Sequence, residues 1–173
     1  AIIKRFQELY PNIKLSIHEG GVKSIEKWLH DGIIDIGFLS WRKNQNFKFI
    51  TLSRDNLYVI TSKAMEMLPS YREVFPLKAF SEYPFIASKS GVDNDVSDAF
   101  ETAGIKPDIR FSCNDEHTII SMVANNLGIS LLPNMFLKGR ENEINIIPVS
   151  PCAVRTLGIG VISEKNISVS AAA

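Results

Sequence analysis

Ile33-Ile34-Asp35-Ile36-Gly37-Phe38-Leu39 is a nearly continuous apolar run of strand length, the composition of a strand covered on both faces. Working back from it, Gly20-Gly21 opens a helix that carries Val22, Ile25 and Leu29 on one face and stops near Asp31-Gly32. Before that helix, Ile13, Leu15 and Ile17 alternate as a strand. Pro11 ends an earlier helix at Tyr10, because proline disfavours helical geometry in the residue before it and has no N–H to donate. Within that first helix Ile2, Ile3, Phe6, Leu9 and Tyr10 have helical spacing. Helix, strand, helix, strand is a parallel α/β unit.

Forward of the run, a polar loop over 42–46 leads to two extended segments, 47–52 and 57–61, separated by Ser53-Arg54-Asp55-Asn56. A second α/β series follows: strand 85–87, helix 95–103 closed by Gly104, strand 109–111, helix 115–126, then Gly128 and strand 129–132 ended by Pro133. Segments 144–149 and 155–162 are strand-like, and the last resembles the run at 33–39. The order predicts an α/β fold of two Rossmann-like lobes, with the chain starting in the first, building the second and returning. Ligands of open α/β sheets sit beyond the carboxyl ends of the strands, so a cleft between such lobes suits a small molecule. Both ends read as cut: helical spacing starts at residue 2 without a capping residue, and Ser168-Val-Ser-Ala-Ala-Ala173 reads as a helix start that stops after a turn.

With 45% hydrophobic residues the chain can bury a core without disulfides, and its formal net charge of zero argues against nucleic acid as a direct partner. Cys113 and Cys152 lack metal or redox spacing and read as free thiols of a cytoplasmic protein. No apolar run reaches the ~20 residues that span a bilayer.

Chemistry of catalysis is not visible. His18, His30 and His117 are scattered, and HExxH, GxSxG and GxxxxGK[ST] are absent. No catalytic residue, metal site or cofactor is therefore expected. The polar turns between strands and helices are better candidates for binding. In His18-Glu19-Gly20-Gly21-Val22 the helix start offers backbone N–H groups to an anion, or the glycines only make the turn. Ser88-Lys89-Ser90-Gly91-Val92 has the same character before the next helix, as a ligand cradle or as an ordinary loop. Ser40-Trp41-Arg42 leaves the end of the apolar run, where Trp41 stacks on a ligand or lids the core. Asn114 or Asp115 caps the helix that follows it.

Three segments carry a family resemblance. Phe6-Gln-Glu-Leu-Tyr-Pro-Asn-Ile-Lys-Leu15 is similar to F-x-x-x-Y-P-x-V-x-L. Leu29-His-Asp-Gly-Ile-Ile-Asp-Ile-Gly-Phe38 is similar to L-x-x-G-x-[LI]-D-[LI]-[GA]-[LI]. Met122-Val-Ala-Asn-Asn-Leu-Gly-Ile-Ser-Leu-Leu-Pro133 is similar to L-V-A-A-G-L-G-I-[AS]-L-L-P. In this order they resemble the effector-binding domain of LysR-type transcription regulators.

The resemblance implies a type II periplasmic-binding-protein-like fold truncated at both ends. Lobe I would comprise 1–53 and 149–173 and lobe II 54–148, with crossings near 54–56 and 150–154. It further implies a small-molecule effector between the lobes, anions among the candidates, and a pocket of Gly20, Gly21, Val22, Ser40, Trp41, Ser88, Ser90, Gly91 and Val92. Two positions depart from the family: many relatives have threonine or serine where Val22 falls, and some have arginine where Ser40 falls. The family's first strand and its polar turn are missing. Homodimers or tetramers are implied, formed through the helices at 2–10 and 95–103, with Phe6 and Phe100 either in the interface or in the core. DNA would be bound only through an N-terminal winged helix-turn-helix outside this sequence. An extracytoplasmic solute-binding protein of a transporter is the alternative.

Overall fold

The computed structural model describes residues 2–43, 45–89 and 93–162, without the side chains of 93 and 94. Its helices are α1 (Ile2–Leu9), α2 (Val22–His30), α3 (Asp93–Ala103) and α4 (Glu116–Ala124). Its strands are β1 (Gly37–Ser40), β2 (Lys48–Ser62), β3 (Phe75–Pro76), β4 (Pro84–Ser88), β5 (Asp108–Cys113), β6 (Ser130–Pro133), β7 (Ile144–Ser150) and β8 (Val154–Val161).

One strand joins the two halves. The first part of β2 pairs antiparallel with β8 from Lys48 to Asn56, and its second part pairs antiparallel with β6 and β7 from Leu57 to Ser62. On one side β1 completes a three-stranded ladder with β8. On the other, β5 and β4 run parallel, and Ile86 N–H and Ile129 N–H tie β4 to the start of β6.

Period-2 alternation puts the strand residues of the second half on two faces. Leu57, Val59, Leu131, Ile147 and Val149 point into a core with Phe80, Phe85, Val96 and Phe100. Ile60, Ile86, Leu132 and Ile144 point the other way, onto Ile119, Ile120 and Val123 of α4. This half is a sheet between helices. Phe100 belongs to its core, 5% exposed and edge-on to Phe80 and Phe85. The first half has a smaller core of Val22, Leu29, Leu39 and Phe47, made where α2 lies on β1.

Several expectations change. The alternation at 13–17 forms no strand: no described strand lies beside it, and Leu15 and Ile17 remain exposed. The run at 33–39 contributes strand only from Gly37, and on the face of β1 opposite buried Leu39 the cover is partial, with Phe38 62% exposed and Ser40 buried. Its only ladder partner is β8, antiparallel, so the parallel unit read at 2–39 is absent among the described residues. Residues 53–56 are ladder and not a break, because they lie opposite 154–157 with one register shift between Thr51 and Ser53. The helix at 2–9 buries none of its residues.

Candidate functional site

Strand β1 ends at Ser40, which is buried, while the next residue keeps its backbone on β8 through Trp41 N–H to Thr156 O at 2.7 Å and leaves the indole half exposed. Ser40 faces the carboxyl group of Asp95 in the first turn of α3, a contact between the two halves of the molecule. Beside it, Arg155 at the start of β8 is the cross-strand partner of Asp55 on β2, with Nη2 3.1 Å from Oδ2. The Arg155 guanidinium also lies over the Phe136 ring, 5.6 Å from its centroid.

The Asp95 carboxyl is held above the usual carboxylate range, chiefly by burial, with Asp98 adding to the effect. The Ser40 hydroxyl and the positive charges of Arg155 and Arg42 oppose it. Asp95 Oδ2 is buried without a hydrogen-bond donor among the described residues. A buried acceptor in that state is destabilising, and such groups concentrate where a ligand or water completes the set.

The remaining candidates divide. Gly20 is a packing residue: a Cβ there would stand 2.7 Å from the Trp28 ring, which His18 also contacts. Gly21 is the N-cap of α2, with ordinary extended φ and ψ, no side-chain cap and open space where a Cβ would stand. Ser24 N–H and Ile25 N–H both reach Gly21 O, whereas Val22 N–H and Lys23 N–H have no acceptor among the described residues. The Val22 side chain packs in the small core with Leu39, next to Ser40 in sequence. Ser88 ends β4, buried, with its hydroxyl 3.4 Å from Glu116 Oε1 at the head of α4. Ser90, Gly91 and Val92 lie outside the described residues. Asp115 caps α4, accepting from Thr118 N–H at 2.7 Å.

The structure therefore brings Ser40 to α3 and keeps Val22 beside the strand that carries it, while Ser88 is engaged within its own half. Sequence reading missed Asp95, Asp55 and Arg155. An acidic residue in a first helical turn is common for reasons of the helix dipole alone, so Asp95 gave no signal. Arg155 did give one, as a charge heading an apolar strand.

The model of the LysR substrate binding domain matches residues 1–173. The chain belongs to this LysR domain family. Among similar proteins are the uncharacterized HTH-type transcriptional regulators YybE and YvbU of Bacillus subtilis (strain 168). YybE is 31% identical over 172 residues, covering 96% of this chain and 58% of the relative. YvbU is 28% identical over 172 residues, covering 98% and 58%. The chain thus spans 58% of the length of these two relatives.

Two solved structures share the fold of this LysR domain. The effector binding domain of QuiR in complex with shikimate has a TM-score of 0.83 at 20% identity, covering 99% of this chain and 83% of that one. The CcmR regulatory domain of Synechocystis PCC6803 in complex with 2-PG has a TM-score of 0.83 at 20% identity, covering 97% and 83%. The two-lobed periplasmic-binding-protein-like architecture is the one expected from the sequence. Relatives named as transcription regulators do not favour the solute-binding alternative, and they are not named as enzymes.

Proposed function

We propose that this chain is the effector-binding and oligomerisation domain of a cytoplasmic LysR-type regulator that binds DNA through an N-terminal winged helix-turn-helix. Its two lobes are residues 1–53 with 149–173, and 54–148, joined where β2 and β8 cross beside Arg155 and Asp55. The effector lies between the lobes, among Gly21, Ser40, Trp41, Ser88 and the segment 90–92. It carries an acceptor for the N–H groups of Val22 and Lys23, which have none among the described residues, and a donor for Asp95 Oδ2. Filling the cleft favours one arrangement of the lobes, and the dimer or tetramer passes that preference to the DNA-binding heads.

The observation that carries this reading is the meeting of Ser40 and Asp95 across the two halves, with a carboxylate oxygen at the contact that has no donor among the described residues. A ligand bound by residues of both halves changes their relative energy in a way that one held by a single half does not.

The test is a thermal-shift screen of small hydroxy acids and amino acids against the protein and its Gly21→Trp variant. The new side chain enters open space at the head of α2. A stabilising compound that loses its effect in the variant supports the reading. Stabilisation of equal size in both proteins would refute the assigned cleft.

A further inference from the structure

The second half of the molecule has an open strand edge, and its backbone direction follows from one hydrogen bond. Ile144 N–H donates to Arg140 O at 3.2 Å, in the turn that precedes β7, so it points away from β2. Alternation along the strand turns the N–H and C=O of Ile146 the same way. Strand β3 covers that edge only at Val149 and Ser150. Ile146 therefore presents a backbone donor and acceptor to the outside.

A concavity of about 340 Å³ lies on this stretch, lined by Lys63, Met65, Arg72, Glu141, Asn145 and Ile146 among others. This volume is of the size that holds a small molecule, for which the ordinary range begins near ~300 Å³. Buried Ile144 and Ile147, on opposite faces of the sheet, and half-buried Met65 also line it, so the lining is mixed polar and apolar. Lys63 and Arg72 are exposed, and neither makes an ion pair among the described residues. Glu141 is engaged locally, its Oε1 accepting from Gly139 N–H at 3.3 Å. Asn145 is spent inward, with Nδ2 donating to Thr61 Oγ1 and Ser62 O.

Lys63 and Arg72, without an ion pair among the described residues, and the outward N–H of Ile146 thus line one open concavity with Met65. We propose that this concavity is a second ligand site, outside the cleft between the lobes, that takes a small organic carboxylate. Lys63, Arg72 and Ile146 N–H hold the carboxylate by charge-assisted hydrogen bonds, and a short apolar body lies over Met65. A small molecule fits better than an added strand from another chain, because charged side chains on an edge discourage strand addition. The inference does not depend on the cleft holding an effector.

The test is a titration of isoleucine-methyl-labelled protein with hexanoate, with hexylamine as the cation of matched shape. Hexanoate is expected to move the Ile144 and Ile146 methyl signals and saturate in the millimolar range, while hexylamine leaves them in place. Replacing both cations (Lys63→Gln with Arg72→Gln) is expected to weaken hexanoate about 10-fold or more, the loss of one or two charge-assisted contacts. Gly21→Trp is expected to change nothing here. The proposal is overturned by the absence of shifts at about 50 mM hexanoate, far above the affinity range that such contacts give. It is also overturned by equal response to hexylamine, by undiminished binding in the double variant, or by loss of the response in Gly21→Trp.

Discussion

Arg155 and Asp55 face each other across β8 and β2 at the point where β2 passes from one half of the molecule to the other, Nη2 3.1 Å from Oδ2, with side chains 5% and 12% exposed. Removing one partner of such a pair leaves a buried charge without compensation. We expect Arg155→Met to destabilise the protein by about 3–5 kcal/mol in urea unfolding. Replacing Asp55 by leucine in the same chain is expected to recover at least half of that loss, since an apolar pair no longer buries a lone carboxylate. A double variant as unstable as the single one would mean that the pair is needed for more than charge balance.

The two adjacent glycines at the head of α2 separate packing from access. Gly20→Ala sets a Cβ against the Trp28 ring at 2.7 Å and against Ser24 Cβ at 3.2 Å, and we expect a loss of about 1–3 kcal/mol from overpacking. Gly21→Ala meets nothing and keeps an ordinary backbone conformation, so its stability should stay within about 0.5 kcal/mol of the parent. Thermal melts of the two variants side by side check this, and equal losses would contradict the assignment of Gly20 to packing against Trp28.

Asp95 and Asp115 give pH dependences of opposite sign. Burial raises the folded-state pKa of Asp95, so the folded protein binds a proton more readily than the unfolded chain. Its ionisation then opposes folding at neutral pH, and the penalty fades as pH falls through the raised folded value toward the ordinary carboxylate pKa. Asp95→Asn should therefore be more stable than the parent at pH 7, with the gap closing as the solution is acidified. A less stable Asp95→Asn at pH 7 would show that the charge is compensated.

The Asp115 carboxylate, by contrast, is held below its ordinary range by the hydrogen bonds from Thr118 Oγ1 and Thr118 N–H. Its contribution is present above the unfolded pKa and is lost as pH falls through the lowered folded value. Asp115→Ala should remove that part of the acid dependence and fray α4, visible as faster amide exchange at Thr118.

How much of this was legible in the sequence follows from what a local pattern encodes. Asp115 as a cap, Gly104 at φ +67 closing α3, and β6 ending at Pro133 were all readable, because each is set by neighbours in the chain. Residues 13–17 and 33–36 misled because apolar alternation reports which faces a strand would have and not whether a partner lies beside it. The break read at 53–56 failed for a related reason: polar residues there suit a loop, but the long β2 needs them as the crossing, with Asp55 answering Arg155. The Ser40–Asp95 contact is tertiary and joins residues far apart in the chain, so no spacing rule announces it. Family resemblance supplied the expectation of a cleft between the lobes, while the Asp95 oxygen without a donor among the described residues came from the structure.

The proposed effector sits between the two halves and touches both. The most direct measurement is backbone amide shift mapping of a compound that stabilises the protein. The largest changes are expected at Gly21, Val22, Trp41 and Ser88, with Asp95 moving alongside them. Shifts confined to one half, or clustered at Ile146 with Trp41 and Asp95 unmoved, would contradict it.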